Sequence, residues 1–313
     1  MKTLSPVYPR FPLANTFSIV ARDPQTGCLG VAVQSHWFSV GPTVAWAEAG
    51  VGAVATQALA EVSYGPLGLA LMKAGKPAAD TLQALLSTDE RREMRQVAMV
   101  DAQGRVATHT GAHCMADAGH ASGESFSVQA NMMTSPEVWP AMAAAYRQAT
   151  GDFAGRMIAA LEAGQAAGGD IRGQQSAAIL IVAAGSTGRP WIDTQMELRV
   201  EDHPTPIQEL KRLVQIHRAY QLMNLGDEYM GKEETAKALE AYAGAAKMAP
   251  EMDEISFWHA VTLADTGQLE QALPIFKKLF AENPDWARLL QRLPAAGMIH
   301  AEHHTIQRIL DLI

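Results

Sequence analysis

The sequence predicts an α+β fold in its first two thirds and an all-helical domain in its last third. Apolar and β-branched runs come in pairs with helical patterns between the pairs, which favours antiparallel sheets covered by helices. The segment from Asp202 to Pro206 carries two prolines, which stop a strand and permit a helix to begin. Beyond it every pattern is helical. We therefore expect domains at residues 15–204 and 205–313, with residues 1–14 as an N-terminal extension.

The first domain begins with a predicted hairpin. Two short apolar runs, residues 16–22 and 29–35, flank the turn Asp23-Pro24-Gln25-Thr26-Gly27, in which proline presets φ and glycine can adopt a positive φ. Helices are predicted over residues 65–87, with a break at Gly75-Lys76-Pro77, and over 136–149 and 153–163. Further strands are predicted at residues 51–57, 96–101, 106–110, 126–132, 177–183 and 192–199.

The helical domain carries an internal repeat. Small, aromatic and proline residues recur after about 34 residues, which is typical of the tetratricopeptide repeat, where small residues let two helices cross closely. We predict repeats at about 219–252 and 253–286, a helix before them at 206–223 and one after them at 286–293. The alternative is two helical hairpins with accidental spacing. The matching positions are Gly226, Tyr229, Ala238, Tyr242, Ala245 and Pro250, then Ala260, Leu263, Ala272, Phe276, Leu279 and Pro284.

Composition limits the classes of function. The 313 residues are 48% hydrophobic and 19% charged with a net charge of -8, which argues against an extended nucleic-acid or anionic-membrane footprint. No run is apolar enough to span a bilayer, and the first fifteen residues lack an apolar signal core, so we expect a cytoplasmic protein. The two cysteines have no metal-ligand spacing, and dinucleotide, P-loop and HExxH motifs are missing from the sequence. No cofactor and no metal are therefore predicted.

Short motifs follow one another in the first domain. They are NTFSIVA at 15–21, AVQS at 32–35, AGVGAVATQ at 49–57, SYGP at 63–66, HTG at 109–111, QANM at 129–132, AAGGDIRGQQS at 166–176 and EDHP at 201–204. Over residues 15–220 this set resembles a bacterial family of unknown function in the N-terminal-nucleophile (Ntn) hydrolase superfamily. The resemblance implies a four-layer αββα sandwich, which agrees with the predicted order of strands and helices.

The resemblance also implies a catalytic role for Thr16. In that superfamily an N-terminal Thr, Ser or Cys attacks an amide carbonyl, and its own α-amino group is the base. Fifteen residues precede Thr16 here, so its nitrogen lies in a peptide bond. Three interpretations stay open: the leader is removed, Thr16 or Ser35 acts with another base, or the domain has lost this chemistry and Thr16 is an ordinary strand residue.

Other polar residues near strand ends are candidate proton donors and acceptors. His36 follows Ser35, and related superfamily members often place a basic residue on this strand; neighbouring residues point to opposite faces, however, so the pair need not interact. Glu61 is a candidate general base and Tyr64 a candidate donor to an oxyanion, both on a loop after a strand. The alternatives are a packed imidazole for His36 and loop anchors for Glu61 and Tyr64.

Four residues are predicted to bind substrate. Asn131 carries an amide at a strand end, where an amide can orient a substrate amide, and Gln57 ends the motif AGVGAVATQ. Asp170 and Arg172 lie in a glycine-rich loop, where they form an ion pair, tie the loop or present a fork for a carboxylate.

The expected function is hydrolysis of a small non-peptide C–N bond, of amide or imide type, in a nitrogenous metabolite. The alternative is a non-catalytic ligand-binding or assembly module whose helical tail recruits a protein partner. The expected partners are a small-molecule substrate, a protein or a second copy bound through the tail, and no nucleic acid or membrane; a homodimer is expected from the frequency of such assemblies.

Overall fold

The computed structural model describes residues 13–312, which fall into two compact units divided after Arg212. The predicted N-terminal extension, residues 1–14, lies outside the described residues except for its last two, which form a short strand. In chain order the first unit contains β1 (Leu13–Ala14), β2 (Thr16–Arg22), β3 (Leu29–Ser35), α1 (Gly41–Val44), β4 (Ala45–Glu48), β5 (Gly52–Leu59), α2 (Tyr64–Lys73), α3 (Ala78–Thr88), β6 (Arg95–Asp101), β7 (Val106–Thr110), β8 (Gly119–Gly123), β9 (Phe126–Ala130), α4 (Val138–Gln148), α5 (Phe153–Ala166), β10 (Ser176–Val182), α6 (Pro190–Asp193) and β11 (Thr194–Val200).

The strands form two antiparallel sheets, as the paired runs predicted. The first sheet has the order β1-β5-β6-β7, with β4 also paired to β5, and the second has the order β11-β10-β3-β2-β9-β8. The predicted first hairpin is confirmed: β2 pairs with β3, and Thr16 stands opposite Ser35. Because β10 continues on the far side of β3, Ser35 is also opposite Ser176.

Successive side chains of β2 and β3 point to opposite faces of the sheet, and each face packs in its own apolar layer. Val20, Val31 and Val33 belong to a core cluster that also contains residues of β5 and β6, so the two sheets face each other. Phe17 points the other way and meets α5, where Gly164 leaves room for its ring. Helices α4 and α5 contact the second sheet, while α2 and α3 contact the first.

Three strands were not predicted, namely β1, β4 and β8. Strand β1 has two residues, β4 is only half-buried, and β8 begins and ends with glycine, so none carries an apolar period of its own. Their pairing with β5 and β9 makes them strands. The predicted break between α2 and α3 is confirmed, since Gly75 adopts a φ of 91°.

The second unit is helical. Helix α7 (Pro206–Gly231) begins at the second proline of the predicted boundary segment, and the division between the units falls inside it. It is followed by α8 (Thr235–Met248), α9 (Asp253–Asp265), α10 (Leu269–Glu282), α11 (Asp285–Leu290) and α12 (His303–Leu310). No helix among residues 13–312 is both long and apolar enough to cross a membrane.

Packing in this unit explains the spacing of the repeat. Ala238, Ala245, Ala260 and Ala272 are fully buried, and Phe276 is buried in the same apolar cluster as Ala260 and Ala272. A side chain at Gly226 would come within 2.7 Å of the Tyr242 ring. Small residues therefore stand where helices cross closely and aromatic rings fill the space between them, which is compatible with a tetratricopeptide fold.

Candidate functional site

The carbonyl group of Asn15 is the centre of the candidate site. Asn15 connects β1 in the first sheet to β2 in the second, and it is buried. Its carbonyl oxygen accepts hydrogen bonds from Ser35 Oγ at 2.6 Å and from Arg172 Nη2 at 2.8 Å. Two predicted site residues, one hydroxyl and one guanidinium, thus converge on the peptide bond that joins Asn15 to Thr16.

Asp170 orients the Arg172 guanidinium. The carboxylate accepts from Arg172 Nε at 3.0 Å and from Nη2 at 2.7 Å, and its Oδ1 also accepts from the Arg172 backbone N–H at 2.9 Å. The Asp170 side chain is fully buried, whereas that of Arg172 is 28% exposed. The predicted ion pair is confirmed. Because Asp170 occupies one edge of the guanidinium, the edge left for another acceptor is the one that meets Asn15.

The loop between α5 and β10 bends sharply to bring this pair to the site. Gly168, Gly169 and Gly173 adopt φ values of 118°, 62° and 106°, in the region where a side chain is strained. The loop is tied to β3 because the backbone N–H of His36 donates to Asp170 Oδ2 at 3.3 Å. The imidazole of His36 lies against the same loop, and its buried Nδ1 has no hydrogen-bond partner among the described residues.

Thr16 is fully buried, and its two oxygens have different partners. The hydroxyl donates to the Ala14 carbonyl at 2.6 Å. The Thr16 carbonyl accepts from Gln57 Nε2 at 3.0 Å and from the backbone N–H of Asn131 at 3.1 Å, with Asn131 Nδ2 at 3.4 Å. The two predicted amides therefore lie behind Thr16 and hold its backbone.

Gln57 and Asn131 belong to a buried polar cluster between the sheets that sequence reasoning missed. Gln96 Oε1 accepts from Gln57 Nε2 at 2.7 Å and from Asn131 Nδ2 at 2.9 Å. On the other side, Ser18 Oγ joins Gln57 Oε1 at 2.6 Å and Gln129 Nε2 at 2.5 Å. The available signal was a set of amides on inward-facing positions of apolar strands, where an unpaired amide would be costly.

Glu61 and Tyr64 lie in a different group of charges. Tyr64 Oη donates to Asp89 at 3.2 Å, and Arg95 Nε donates to the same carboxylate oxygen at 2.8 Å. Glu61 accepts from Ser63 Oγ at 2.8 Å and lies 3.8 Å from Arg95. Glu61 and Tyr64 therefore contact this group of ion pairs, whereas the Asn15 carbonyl contacts Ser35 and Arg172. The sequence had indicated neither Arg95 nor Asp89, because both residue types are common on surfaces.

The charges in this group alter proton affinities. Burial and the adjacent Asp89 carboxylate raise the pKa of Tyr64 far above its usual value, so its hydroxyl stays protonated. Burial alone would raise the pKa of Asp89, but hydrogen bonds from Arg95 and the charge of that guanidinium outweigh it and hold the pKa below its usual value. Arg95 itself is buried and also donates to the Leu59 carbonyl at 2.6 Å.

The arrangement around Asn15 can polarise an amide carbonyl. A hydroxyl and a cation both donate to one carbonyl oxygen inside a buried site, where hydrogen bonds are electrostatically stronger than in water. Within residues 13–312 no group of three or more His, Cys, Asp or Glu side chains is arranged to hold a metal ion.

Comparison with known proteins places the chain in a family. Residues 16–210 match the model of the "Family of unknown function (DUF1028)". The chain is a member of that family. A crystal structure of a DUF1028 protein from Silicibacter pomeroyi is 32% identical, covers 64% of this chain and 84% of its own, and has a TM-score of 0.58. Residues 229–293 match a tetratricopeptide repeat model, which confirms the prediction for the tail. The search of curated proteins found no match.

Proposed function

We propose that this family member hydrolyses a small, non-peptide C–N bond of amide or imide type in the cytoplasm. The observation that carries the proposal is the pair of donors on the Asn15 carbonyl oxygen, Ser35 Oγ at 2.6 Å and Arg172 Nη2 at 2.8 Å. An amide carbonyl of the chain itself fills the position that a substrate carbonyl would take. Two donors on one amide carbonyl oxygen therefore support a proposal of amide hydrolysis.

Ser35 and Arg172 would stabilise the negative charge that develops when the carbonyl is attacked. Such donors act best when they are fixed before the reaction, and the bidentate contact with Asp170 fixes the guanidinium. Removal of one donor of this kind typically lowers the rate by about 100- to 1,000-fold. Tyr64, the oxyanion donor expected from the sequence, contacts Asp89 instead, and Asn131, expected to orient the substrate, contacts Thr16.

Thr16 is the proposed nucleophile, in a chain from which residues 1–15 have been removed. Two facing sheets with helices on their outer sides are what the Ntn superfamily would require. The free α-amino group, with a pKa of about 8, would take the hydroxyl proton. Thr16 Oγ1 would bond to the substrate carbonyl carbon, the amine would leave with the proton, and water would then cleave the resulting ester. Removal of Asn15 also vacates the carbonyl position between Ser35 and Arg172.

The proposal is tested by mass spectrometry followed by assays of a panel of small amides and imides. We expect the active species to begin at Thr16 and to turn over at least one compound. Ser35→Ala and Arg172→Lys should each lower kcat by about 100-fold or more, because each removes or displaces one donor. Ser87→Ala, which removes an exposed hydroxyl bonded to the carbonyl of Ala84, is the matched control. No turnover by a chain beginning at Thr16, or equal turnover in all three variants, would refute the proposal.

Protein binding through the helical tail is a second proposed function, favoured by the match to the tetratricopeptide model. The second unit contains a groove of about 540 Å³ lined by Met223, Tyr242, Trp258 and Met298 among others. Cross-linking in cells followed by mass spectrometry should recover a partner peptide attached to this unit, and Trp258→Ala should abolish the product. An unchanged product in that variant would contradict binding in this groove.

A further inference from the structure

Strand β7 is an edge strand of the first sheet, and half of its backbone points away from the sheet. Its register with β6 pairs Thr108 with Ala98. Hydrogen bonds from Gly111 N to Arg95 O and from Asp101 N to Arg105 O continue this ladder at its two ends. Hydrogen-bonded pairs alternate with non-bonded pairs along an antiparallel ladder. The backbone N–H and C=O groups that point towards β6 are therefore those of Arg105, Ala107, His109 and Gly111. The N–H and C=O groups of Val106, Thr108 and Thr110 consequently face outwards.

Those outward groups have no backbone partner within residues 13–312. The five residues of β7 are all half-buried. An edge of this kind presents a row of donors and acceptors at the spacing of another strand. A partner that can pair with all of these donors and acceptors is another extended polypeptide backbone.

Another edge strand, β11, differs because it is protected against such pairing. It carries the charged residues Glu197 and Arg199, which discourage the approach of another strand, and its ladder with β10 shifts register after Ile181. The sequence of β7, VATHT, contains no Lys, Asp, Glu or Pro. Of these two edges, β7 is therefore the one that can accept a further strand.

An apolar groove runs beside the same edge. It has a volume of about 470 Å³ and lies between α3 and β7. Leu82 and Leu86 of α3 and Ala107 of β7 are among its lining residues. A strand added to β7 would place alternate side chains over this groove, so pairing would also remove apolar surface from water.

We propose that β7 pairs with β7 of a second copy of this chain, antiparallel, about a two-fold axis at Thr108. Each Thr108 then faces the other, and Val106 faces Thr110 of the second copy. Each of the three resulting pairs exchanges two backbone hydrogen bonds. Side chains on the helix face match as well, because Ala107 of one copy meets His109 of the other and no like charges are opposed.

The β7 edge is self-complementary, which favours a second copy of this chain as its partner. A two-fold axis perpendicular to the sheet keeps both α3 helices on the same side of the joined sheet, so the two apolar grooves meet at the interface. Cross-strand Thr–Thr pairs, which Thr108 would form on the axis, are favourable in antiparallel sheets. The proposal is independent of the hydrolase proposal, because Ser35 and Arg172 play no part in it.

The test is the mass of the full chain in solution, by sedimentation velocity. Thr108→Pro removes an outward N–H and leaves the bonds to β6 unaltered, which edge strands tolerate. Thr108→Val keeps that N–H and is the matched control. We expect wild type and Thr108→Val to have twice the 33.6 kDa of one chain. Thr108→Pro should have the mass of one chain, its dimer dissociation constant raised on the order of 100-fold or more.

A cysteine cross-link tests the position of the axis without proline. Residues in a bonded antiparallel pair have Cα atoms about 5.5 Å apart, within the range of a disulfide. Oxidised Thr108→Cys should therefore give a covalent dimer above the wild-type background, whereas Glu197→Cys on β11 should not. A wild-type chain of single mass would overturn the proposal. A Thr108→Pro variant that remains dimeric, or a cross-link through Glu197→Cys in place of Thr108→Cys, would also overturn it.

Discussion

Loss of the Arg172 guanidinium should destabilise the first unit, because the Asp170 carboxylate is fully buried. Arg172→Ala leaves that charge without its cation. Breaking a buried ion pair by removing one partner costs about 3–5 kcal/mol. Arg172 is 28% exposed, and Asp170 keeps backbone N–H donors from His36 and residue 172. We therefore expect the lower end of that range, about 3 kcal/mol.

The matched control is an exposed pair of the same length. Lys73 Nζ lies 2.6 Å from Glu48, compared with 2.7 Å for Arg172 and Asp170. The Lys73 and Glu48 side chains are 66% and 38% exposed, so solvent screens their attraction. Lys73→Ala should cost less than about 1 kcal/mol. If distance alone set the energy of an ion pair, Arg172→Ala and Lys73→Ala would lose similar stability. The expected difference between them comes from burial.

The assay is urea denaturation of the full chain, with the transition of the first unit followed by a probe placed there. The double variant Asp170→Leu/Arg172→Ala should cost less than Arg172→Ala alone, since no charge is then left buried and unpaired. If Arg172→Ala costs no more stability than Lys73→Ala, burial does not set the strength of these ion pairs. If the double variant is less stable than Arg172→Ala, the unpaired Asp170 charge is not the cause of the loss.

Two further predictions concern other parts of the chain. Because its pKa is held low, Asp89 contributes stability that is present above the unfolded-state pKa of about 3.9 and is lost as pH falls through the folded-state pKa. Asp89→Asn should lower stability near neutral pH and flatten the acid side of a plot of unfolding free energy against pH; an unchanged slope would contradict this role. In the tail, Gly226→Ala should cost about 1–3 kcal/mol in thermal unfolding, because the new methyl group would lie 2.7 Å from the Tyr242 ring. Gly231→Ala, with no atom within 4 Å, is the control and should be neutral or stabilising, and a similar loss in both variants would show that the close approach is not the cause.

Periodicity predicted most of the elements, because their apolar patterns are local. The hairpin of β2 and β3, the break at Gly75 and the helices of the tail follow from residues within a few positions of each other. Strands β1, β4 and β8 could not be predicted in this way. Each becomes a strand through hydrogen bonds to a neighbour that is distant in the sequence or that supplies the apolar face.

The candidate site was predicted in part. Ser35 and Arg172 meet at the Asn15 carbonyl, with Asp170 bound to Arg172, and Gln57 and Asn131 meet at the Thr16 carbonyl. Glu61 and Tyr64 were grouped with them because loop carboxylates and hydroxyls often act in catalysis. In the structure Glu61 lies near Arg95 and Tyr64 donates to Asp89. No sequence motif indicated the ion pair of Arg95 and Asp89.

The sequence by itself determined the family, the antiparallel character of the first unit, the repeat in the tail and the residue types available for chemistry, because each depends on spacing along the chain. Tertiary structure decided which of those residues share a partner. The Asn15 carbonyl receives donors from residues 35 and 172, which lie 20 and 157 positions away along the chain. Such a contact exists only after β3 and β10 pair and the glycine loop before β10 bends back towards Asn15. Burial is likewise decided only by folding. Because of burial, we expect the ion pair of Asp170 and Arg172 to contribute more to stability than the similarly short surface pair of Lys73 and Glu48.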